Sequence, residues 1–135
     1  MHVNRGPAEP VNADLQQFYE KLFGCLRHSE AKEGDWCLLE CTPAWDGNWT
    51  WDCFICFAWR GPGRTSLIVT VNYAPNQSQC RVHMPFDDLK GRQIRLRDLM
   101  GPAGYNRAGD EISTRGLYLD EPAWAYHVFE MTVAD

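Results

Sequence analysis

The chain has 135 residues, of which 44% are apolar and 23% are charged, and its formal net charge is −5. This length favours a single domain, and the composition excludes a disordered or low-complexity chain. Proteins that bind phosphate-rich partners usually carry a basic face, so the acidic balance argues against nucleic acid and anionic membranes as partners. Because no stretch of 18 apolar residues occurs, we predict no membrane-spanning segment.

Residues 1–11 are polar and lack the apolar centre of a signal peptide, so we interpret them as a linker in a cytoplasmic chain. In that compartment the six cysteines are expected to be reduced thiols rather than disulfides. Apolar side chains then recur at helical spacing from Leu15 to Leu26, and Asn12 precedes them as an N-cap. This pattern predicts a helix over residues 12–29 that leads into the domain.

From residue 35 onward the apolar period changes to two, which is typical of strands. Residues 51–59 and 67–73 alternate most clearly, and the Gly61-Pro62-Gly63 sequence between them predicts a hairpin. The same pattern recurs in shorter runs at residues 36–41, 80–84, 94–97, 117–119 and 124–131. Short strands separated by glycine, proline and asparagine turns predict an all-β, antiparallel sandwich or barrel over residues 35–132, with one N-terminal helix.

In a sandwich, one face of each strand is buried between the two sheets. We expect eight apolar residues at alternating positions to form that core, namely Ile55, Phe57, Leu67, Val69, Val71, Leu117, Leu119 and Val128. Truncating one of them should then leave a cavity and lower the free energy of unfolding.

The cysteines at positions 37, 41, 53 and 56 have the spacing of a four-thiolate zinc site. Within a strand, however, Cys53 and Cys56 point to opposite faces, and the two residues between them do not form a turn sequence. We therefore favour small core residues and no cofactor. A zinc module that uses Cys37, Cys41, Cys53 and Cys56 is kept as an alternative.

General acid or base catalysis needs carboxyl groups that converge across a cleft. The acidic pairs of this chain lie beside turn residues, where solvated side chains are expected: Asp87-Asp88, Asp110-Glu111 and Asp120-Glu121. His83 and His127 fall in predicted strands as ordinary sheet residues, and no nucleophile elbow or glycine-rich phosphate loop occurs. We therefore expect that this chain alone is not an enzyme.

Residues 43–51 place three tryptophans among polar side chains. Flat indole faces stack on sugar rings while amide and carboxylate groups bind hydroxyls, and such mixed surfaces are typical of small-molecule sites. The predicted carbohydrate-binding residues are Trp45, Asp46, Asn48, Trp49 and Trp51. Alternatively, these tryptophans fill a core or cover an interface with another domain.

Residues 117–130, LYLDEPAWAYHVFE, resemble the closing strands of the C-terminal domain of α-amylase-family glycoside hydrolases. Residues 67–73 and 96–100 resemble two earlier pieces of that domain, and the predicted helix resembles the last helix before it. The resemblance covers about residues 11–131. It implies a β-sandwich with Greek-key connections, attached behind a catalytic barrel that carries the catalytic carboxylates.

The resemblance further implies a non-catalytic accessory domain of an α-amylase-like or glucan-branching-type enzyme. Such a domain would stabilise the catalytic barrel and contact α-glucan. Without the barrel, the helix and the loop at residues 45–51 should leave an apolar patch, so we expect weak self-association. The alternative is an independent carbohydrate-binding module that uses the tryptophan-rich loop.

Overall fold

The computed structural model describes residues 16–17, 20–24, 34–61 and 65–134. Residues 16–17 and 20–24 are helical, which places a helix near the N-terminus, and the rest of the predicted helix and the predicted linker lie outside the described residues. No helical stretch within these ranges is long and apolar enough to cross a membrane.

The described chain from residue 34 onward is mostly strand. Its strands are β1 (Asp35–Leu38), β2 (Glu40–Thr42), β3 (Phe54–Arg60), β4 (Thr65–Asn72), β5 (Ser78–His83), β6 (Gln93–Asp98), β7 (Gly104–Ala108), β8 (Leu117–Glu121) and β9 (Tyr126–Val133). A short helix α1 (Gly109–Arg115) and two 3₁₀ turns, Thr50–Cys53 and Asp87–Leu89, complete the described elements.

These strands form two antiparallel sheets, which confirms the predicted all-β sandwich. The larger sheet has the order β1-β3-β4-β9-β6-β7 and the smaller one has the order β2-β5-β8. Strand β9 pairs with both β4 and β6, a non-sequential neighbour relation of the kind that Greek-key connections produce. The predicted hairpin is present, because β3 pairs with β4 from Phe54↔Asn72 to Arg60↔Ser66.

The chain changes sheets at Leu39. Strand β1 pairs with β3 in the larger sheet as far as Leu38↔Phe57, and β2 pairs with β5 in the smaller sheet. Between them, the Leu39 N–H donates to the Cys56 carbonyl at 2.9 Å. The single strand predicted at residues 36–41 is therefore two short strands that join the two layers.

The main hydrophobic core lies between the two sheets. Its largest fully buried apolar members are Phe129, Ile68, Leu89, Ile94, Leu96, Ile112 and Met131. A second, smaller cluster lies on the opposite face of the six-stranded sheet, where Leu67, Val69 and Val128 pack with Leu22 of the N-terminal helix. The larger sheet is therefore covered on one face by the smaller sheet and on part of the other by the helix.

This arrangement corrects the predicted core. Leu117 and Leu119 are buried between the sheets as expected, whereas Leu67, Val69 and Val128 are buried beneath the helix. The predicted phase of β3 is wrong, because Phe54, Cys56 and Ala58 face the other sheet. Ile55 is 46% exposed, Phe57 and Val71 are partly buried, and the latter two pack on the helix-side cluster instead. Strands β3 and β4 are apolar on both faces, so alternation alone cannot say which face turns inward.

The sequence pattern predicts neither β7 nor helix α1. Residues 101–109 are rich in turn-forming residues, yet they contain β7, which pairs with β6 from Gln93↔Ala108 to Arg97↔Gly104. Helix α1 follows at once and buries Ile112 in the core. Its seven residues are too few to show a clear helical period.

Candidate functional site

The predicted tryptophan loop joins β2 to β3 and exposes two of its three indoles. Trp45 is 52% exposed and Trp49 is 69% exposed, and Asp46 between them is also exposed. Trp51 lies in the 3₁₀ turn and packs against the core between the sheets. Trp45, Asp46 and Trp49 are therefore accessible to a ligand, whereas Trp51 anchors the loop on the core.

Asn48 is buried and holds the loop on the smaller sheet. Its Nδ2 donates to Thr50 Oγ1 at 3.1 Å and to Gln79 Oε1 at 3.4 Å, and its Oδ1 accepts from the Ala44 N–H at 3.4 Å. Thr50 Oγ1 in turn accepts from the Gln79 N–H at 2.9 Å. A buried side-chain amide with these partners orients the neighbouring indoles rather than a ligand.

A polar ribbon continues from this loop across the outer face of the smaller sheet. The register pairs Gln79 with Asp120, and the side-chain amides of Gln79 and Gln77 donate to Asp120 Oδ1 at 3.0 and 2.8 Å. These two hydrogen bonds lower the pKa of Asp120. Beside them, the Arg81 guanidinium lies 5.0 Å from the centre of the Tyr118 ring. Sequence reasoning missed this ribbon because its members are distant in sequence and meet only through strand pairing.

The predicted zinc ligands are not brought together. Within the described residues, no group of three or more histidine, cysteine or acidic side chains has the geometry to hold a metal ion. Cys37 lies on β1 and Cys53 lies in the 3₁₀ turn. A different trio meets between the sheets: Cys41 packs against the core cluster that contains Cys56 and Cys80, and these two neighbouring thiols lower the pKa of Cys41.

A cavity of about 560 Å³ lies where the chain changes sheets. Its walls are formed by residues 38–43, by residues 51 and 52 of the 3₁₀ turn and by residues 54–56 of β3. Two of the thiols, Cys41 and Cys56, belong to these walls. Trp51, a predicted carbohydrate-binding residue, and Cys41, a zinc ligand in the alternative prediction, therefore both line this cavity.

His127 lies between two carboxylates. Its Nδ1 is 2.7 Å from Asp98 Oδ2, and its Nε2 is 3.0 Å from Glu121 Oε2. Burial opposes protonation, but Glu121 and Asp98 outweigh it and raise the pKa of His127 to about 9. Asp98 also accepts from the backbone N–H of Val128 at 3.2 Å. Contrary to the sequence expectation of a solvated pair, Glu121 is buried while Asp120 is exposed.

This trio resembles catalytic acid–base arrangements only superficially. Both ring nitrogens of His127 face carboxylates, and the ring stacks on Phe129 with centroids 4.9 Å apart. Because both ring nitrogens already face carboxylates of this chain, neither is free to take a proton from a substrate. The trio instead ties together the ends of β6, β8 and β9.

The outer face of the six-stranded sheet leaves apolar side chains uncovered near its β1 edge. Leu38 is 67% exposed, and Trp36 and Ile55 are also exposed. At the end of the same sheet, Tyr73 and Trp124 meet edge to face with ring centroids 5.5 Å apart, and both are exposed. Trp124 has a backbone φ of 62°, a left-handed conformation that is costly for a bulky side chain.

No protein-family model matches the chain, and no curated protein matches it either.

Proposed function

We propose that this chain is a non-catalytic accessory domain of an α-amylase-family enzyme and that it packs on the catalytic barrel. The observation that carries the proposal is the uncovered apolar face formed by Trp36, Leu38 and Ile55 on β1 and β3. Exposed apolar surface of this kind, contiguous with a covered patch, is typical of an interface with another domain. The neighbouring patch of the same face is already covered by the N-terminal helix.

The resemblance supports the proposal through the elements on which it falls. Residues 67–73 span most of β4, residues 96–100 begin at the end of β6, and residues 117–130 span β8 and most of β9. Strands β4, β9 and β6 are adjacent in the larger sheet. The segments that resemble the α-amylase C-terminal domain are therefore neighbours in space as well as in order.

The position of His127 between Asp98 and Glu121 favours a supporting role over catalysis. Its carboxylate partners are engaged in holding strand ends, and the two most exposed acidic pairs lie in turns or at the start of α1. A domain of this kind would leave catalysis to carboxylates on the barrel. We further infer a cytoplasmic setting, in which free Cys56 and Cys80 inside the sandwich remain reduced.

The proposal is tested with a purified α-amylase-family barrel from which its own C-terminal domain has been removed. Added to that barrel, the chain should bind and raise the melting temperature of the barrel. Leu38→Asp should abolish both effects, because it places a charge in the centre of the apolar face. Asp120→Asn on the opposite face is the matched control and should leave both unchanged. Absence of binding at every concentration, or equal loss with both variants, would contradict the proposal.

A second function is favoured by the exposure of Trp45 and Trp49. In this alternative the domain binds α-glucan by itself, with the two indoles as stacking platforms and Asp46 as a hydroxyl acceptor. Titration with maltoheptaose, followed by tryptophan fluorescence, measures the affinity directly. The double variant Trp45→Ala/Trp49→Ala should lose binding, whereas Trp124→Ala should retain it.

A further inference from the structure

Tyr73 and Trp124 form an aromatic corner at the end of the six-stranded sheet. Tyr73 directly follows β4, and Trp124 lies in the turn between β8 and β9. The ring centroids are 5.5 Å apart and the ring planes are inclined by 83°. Both side chains are nevertheless more than half exposed. The two nearly perpendicular rings are therefore in contact with each other and still accessible to a partner.

The two loops that carry the aromatic corner are held together by hydrogen bonds. Asn72 is fully buried, and its Nδ2 donates to the Asn76 carbonyl at 2.9 Å in the first loop and to the Pro122 carbonyl at 2.9 Å in the second. The Trp124 N–H donates across the loops to the Ala74 carbonyl at 3.2 Å. Loops that are fixed before binding lose little conformational entropy when a partner arrives.

Trp124 is held in this position at a conformational cost. Its backbone φ of 62° lies in the left-handed region, which a bulky side chain rarely adopts. Because the ring is mostly exposed, burial within the chain offsets little of that cost. Glycine would adopt this backbone conformation without strain. The stability of the chain therefore does not account for an indole here, and strained backbone of this kind clusters at functional sites.

The aromatic corner is continuous with the uncovered apolar face on β1 and β3. Ile55 of that face pairs with Val71 on β4, and Val71 pairs with Tyr126 on β9. Tyr73 lies two residues beyond Val71, and its N–H extends the ladder by donating to the Cys53 carbonyl at 2.8 Å. Because side chains alternate along a strand, Tyr73 and Val71 lie on the same face of the sheet. The apolar face therefore extends from β1 to the corner.

Neither loop carries a charged side chain close to the rings. Residues 73–77 are YAPNQ, and residues 122–126 are PAWAY. A charged group of a partner would lose its hydration here without gaining an opposite charge from these loops. An apolar side chain has no such cost and gains contact with both flat rings. The aromatic corner therefore fits an uncharged, apolar side chain.

We propose that the aromatic corner is the binding anchor of the interface with the catalytic barrel and that it receives one uncharged, apolar side chain from the barrel surface. This inference rests on the proposed function, which supplies the partner. In protein interfaces a few residues carry most of the binding energy, and tryptophan and tyrosine are enriched among them. The strained, fixed and exposed Trp124 has the properties of such a residue, and the apolar face beside it enlarges the contact.

The test measures by calorimetry the affinity of the chain for the barrel that lacks its own C-terminal domain. Trp124→Gly should weaken binding at least about 30-fold, the loss typical of a dominant interface residue. The same variant should melt at the temperature of the unaltered chain or above it, because glycine adopts a positive φ without strain. Tyr73→Ala should weaken binding about tenfold. Trp49→Ala, which removes an exposed indole from the loop on the smaller sheet, is the matched control and should bind like the unaltered chain.

The outcomes separate the binding anchor from the proposed function. If the unaltered chain binds, Leu38→Asp abolishes binding and Trp124→Gly binds unchanged, the anchor is overturned and the proposed function stands. If the unaltered chain does not bind, the proposed function fails and the anchor fails with it. A lower melting temperature of Trp124→Gly would show that the indole serves folding, and would overturn the anchor. Self-association that Trp124→Gly removes, with unchanged affinity for the barrel, would overturn it too, by assigning the corner to a second copy of the chain.

Discussion

The two outer faces of the sandwich differ sharply in chemistry. On the six-stranded sheet the outward side chains of β3 and β4 are apolar, and the cluster at Leu67 and Val69 is covered by the N-terminal helix. On the three-stranded sheet the outward side chains of β5 and β8 are polar, and Gln79 and Asp120 are already hydrogen bonded to each other. Polar side chains on a solvent-exposed face can hydrogen bond to one another. An apolar face, by contrast, is stabilised when another element or domain packs on it.

The largest expected loss of stability concerns the hydrophobic core between the two sheets. Phe129→Ala should lower the free energy of unfolding by about 3–5 kcal/mol, because Phe129 is fully buried between the sheets and its removal leaves a cavity. Denaturant unfolding measures this loss. A loss below about 1 kcal/mol would mean that the sheets do not pack on each other around this residue.

The ion trio of His127, Asp98 and Glu121 should make the free energy of unfolding depend on pH. The pKa of His127 is raised from about 6.5 to about 9 in the folded state. The stabilisation that protonated His127 provides is therefore complete below pH 6.5 and is lost as pH rises through 9. The amount lost is on the order of 3 kcal/mol. His127→Gln should flatten the unfolding free energy between pH 6.5 and 9. An unchanged pH dependence in that variant would contradict the ion trio.

The helix-covered patch should respond more weakly than the enclosed core. Val69→Ala should cost about 1–3 kcal/mol in denaturant unfolding, because the side chain is buried against the N-terminal helix. Leu22→Ala should cost less free energy of unfolding than Val69→Ala. The effects of the two substitutions should not add in the double variant, since the effects of substitutions at contacting residues are not additive. Strict additivity in the double variant would show that the helix does not cover this patch.

The uncovered part of the same face should contribute least to stability. Leu38→Ser should change the unfolding free energy by less than about 0.5 kcal/mol, because the side chain is 67% exposed. It should, however, reduce the weak self-association that we expect from an apolar patch. Sedimentation at rising protein concentration compares it with Tyr118→Ser on the polar face, which should self-associate like the unaltered chain.

Sequence alone sufficed where only one strand face is apolar. The alternation of Ile94 and Leu96 with Arg95 and Arg97 predicts a strand with one polar face, as β6 has, and Leu117 and Leu119 lie in the core as predicted. Sequence alone failed at β3, β4 and β9, where both strand faces carry apolar residues and the covering layers decide which face lies between the sheets. No pattern within a strand records whether a helix or a second sheet lies above it.

The candidate site was predictable only in its local part. The exposed indoles of Trp45 and Trp49 belong to one loop, so a local sequence pattern predicted them. The thiol trio was missed because Cys80 reaches Cys41 by pairing between β2 and β5, nearly forty positions away. The strain at Trp124 is equally invisible in sequence, because a positive φ at a tryptophan follows from no residue preference.

The docking of the apolar face on a catalytic barrel is tested most directly by amide hydrogen exchange of the chain, free and mixed with the barrel. Added protection should appear in residues 35–60, which contain β1 and β3. Residues 77–83 and 117–121 on the polar face should exchange as they do in the free chain. Protection confined to those polar strands, with β1 and β3 unchanged, would contradict the proposed interface.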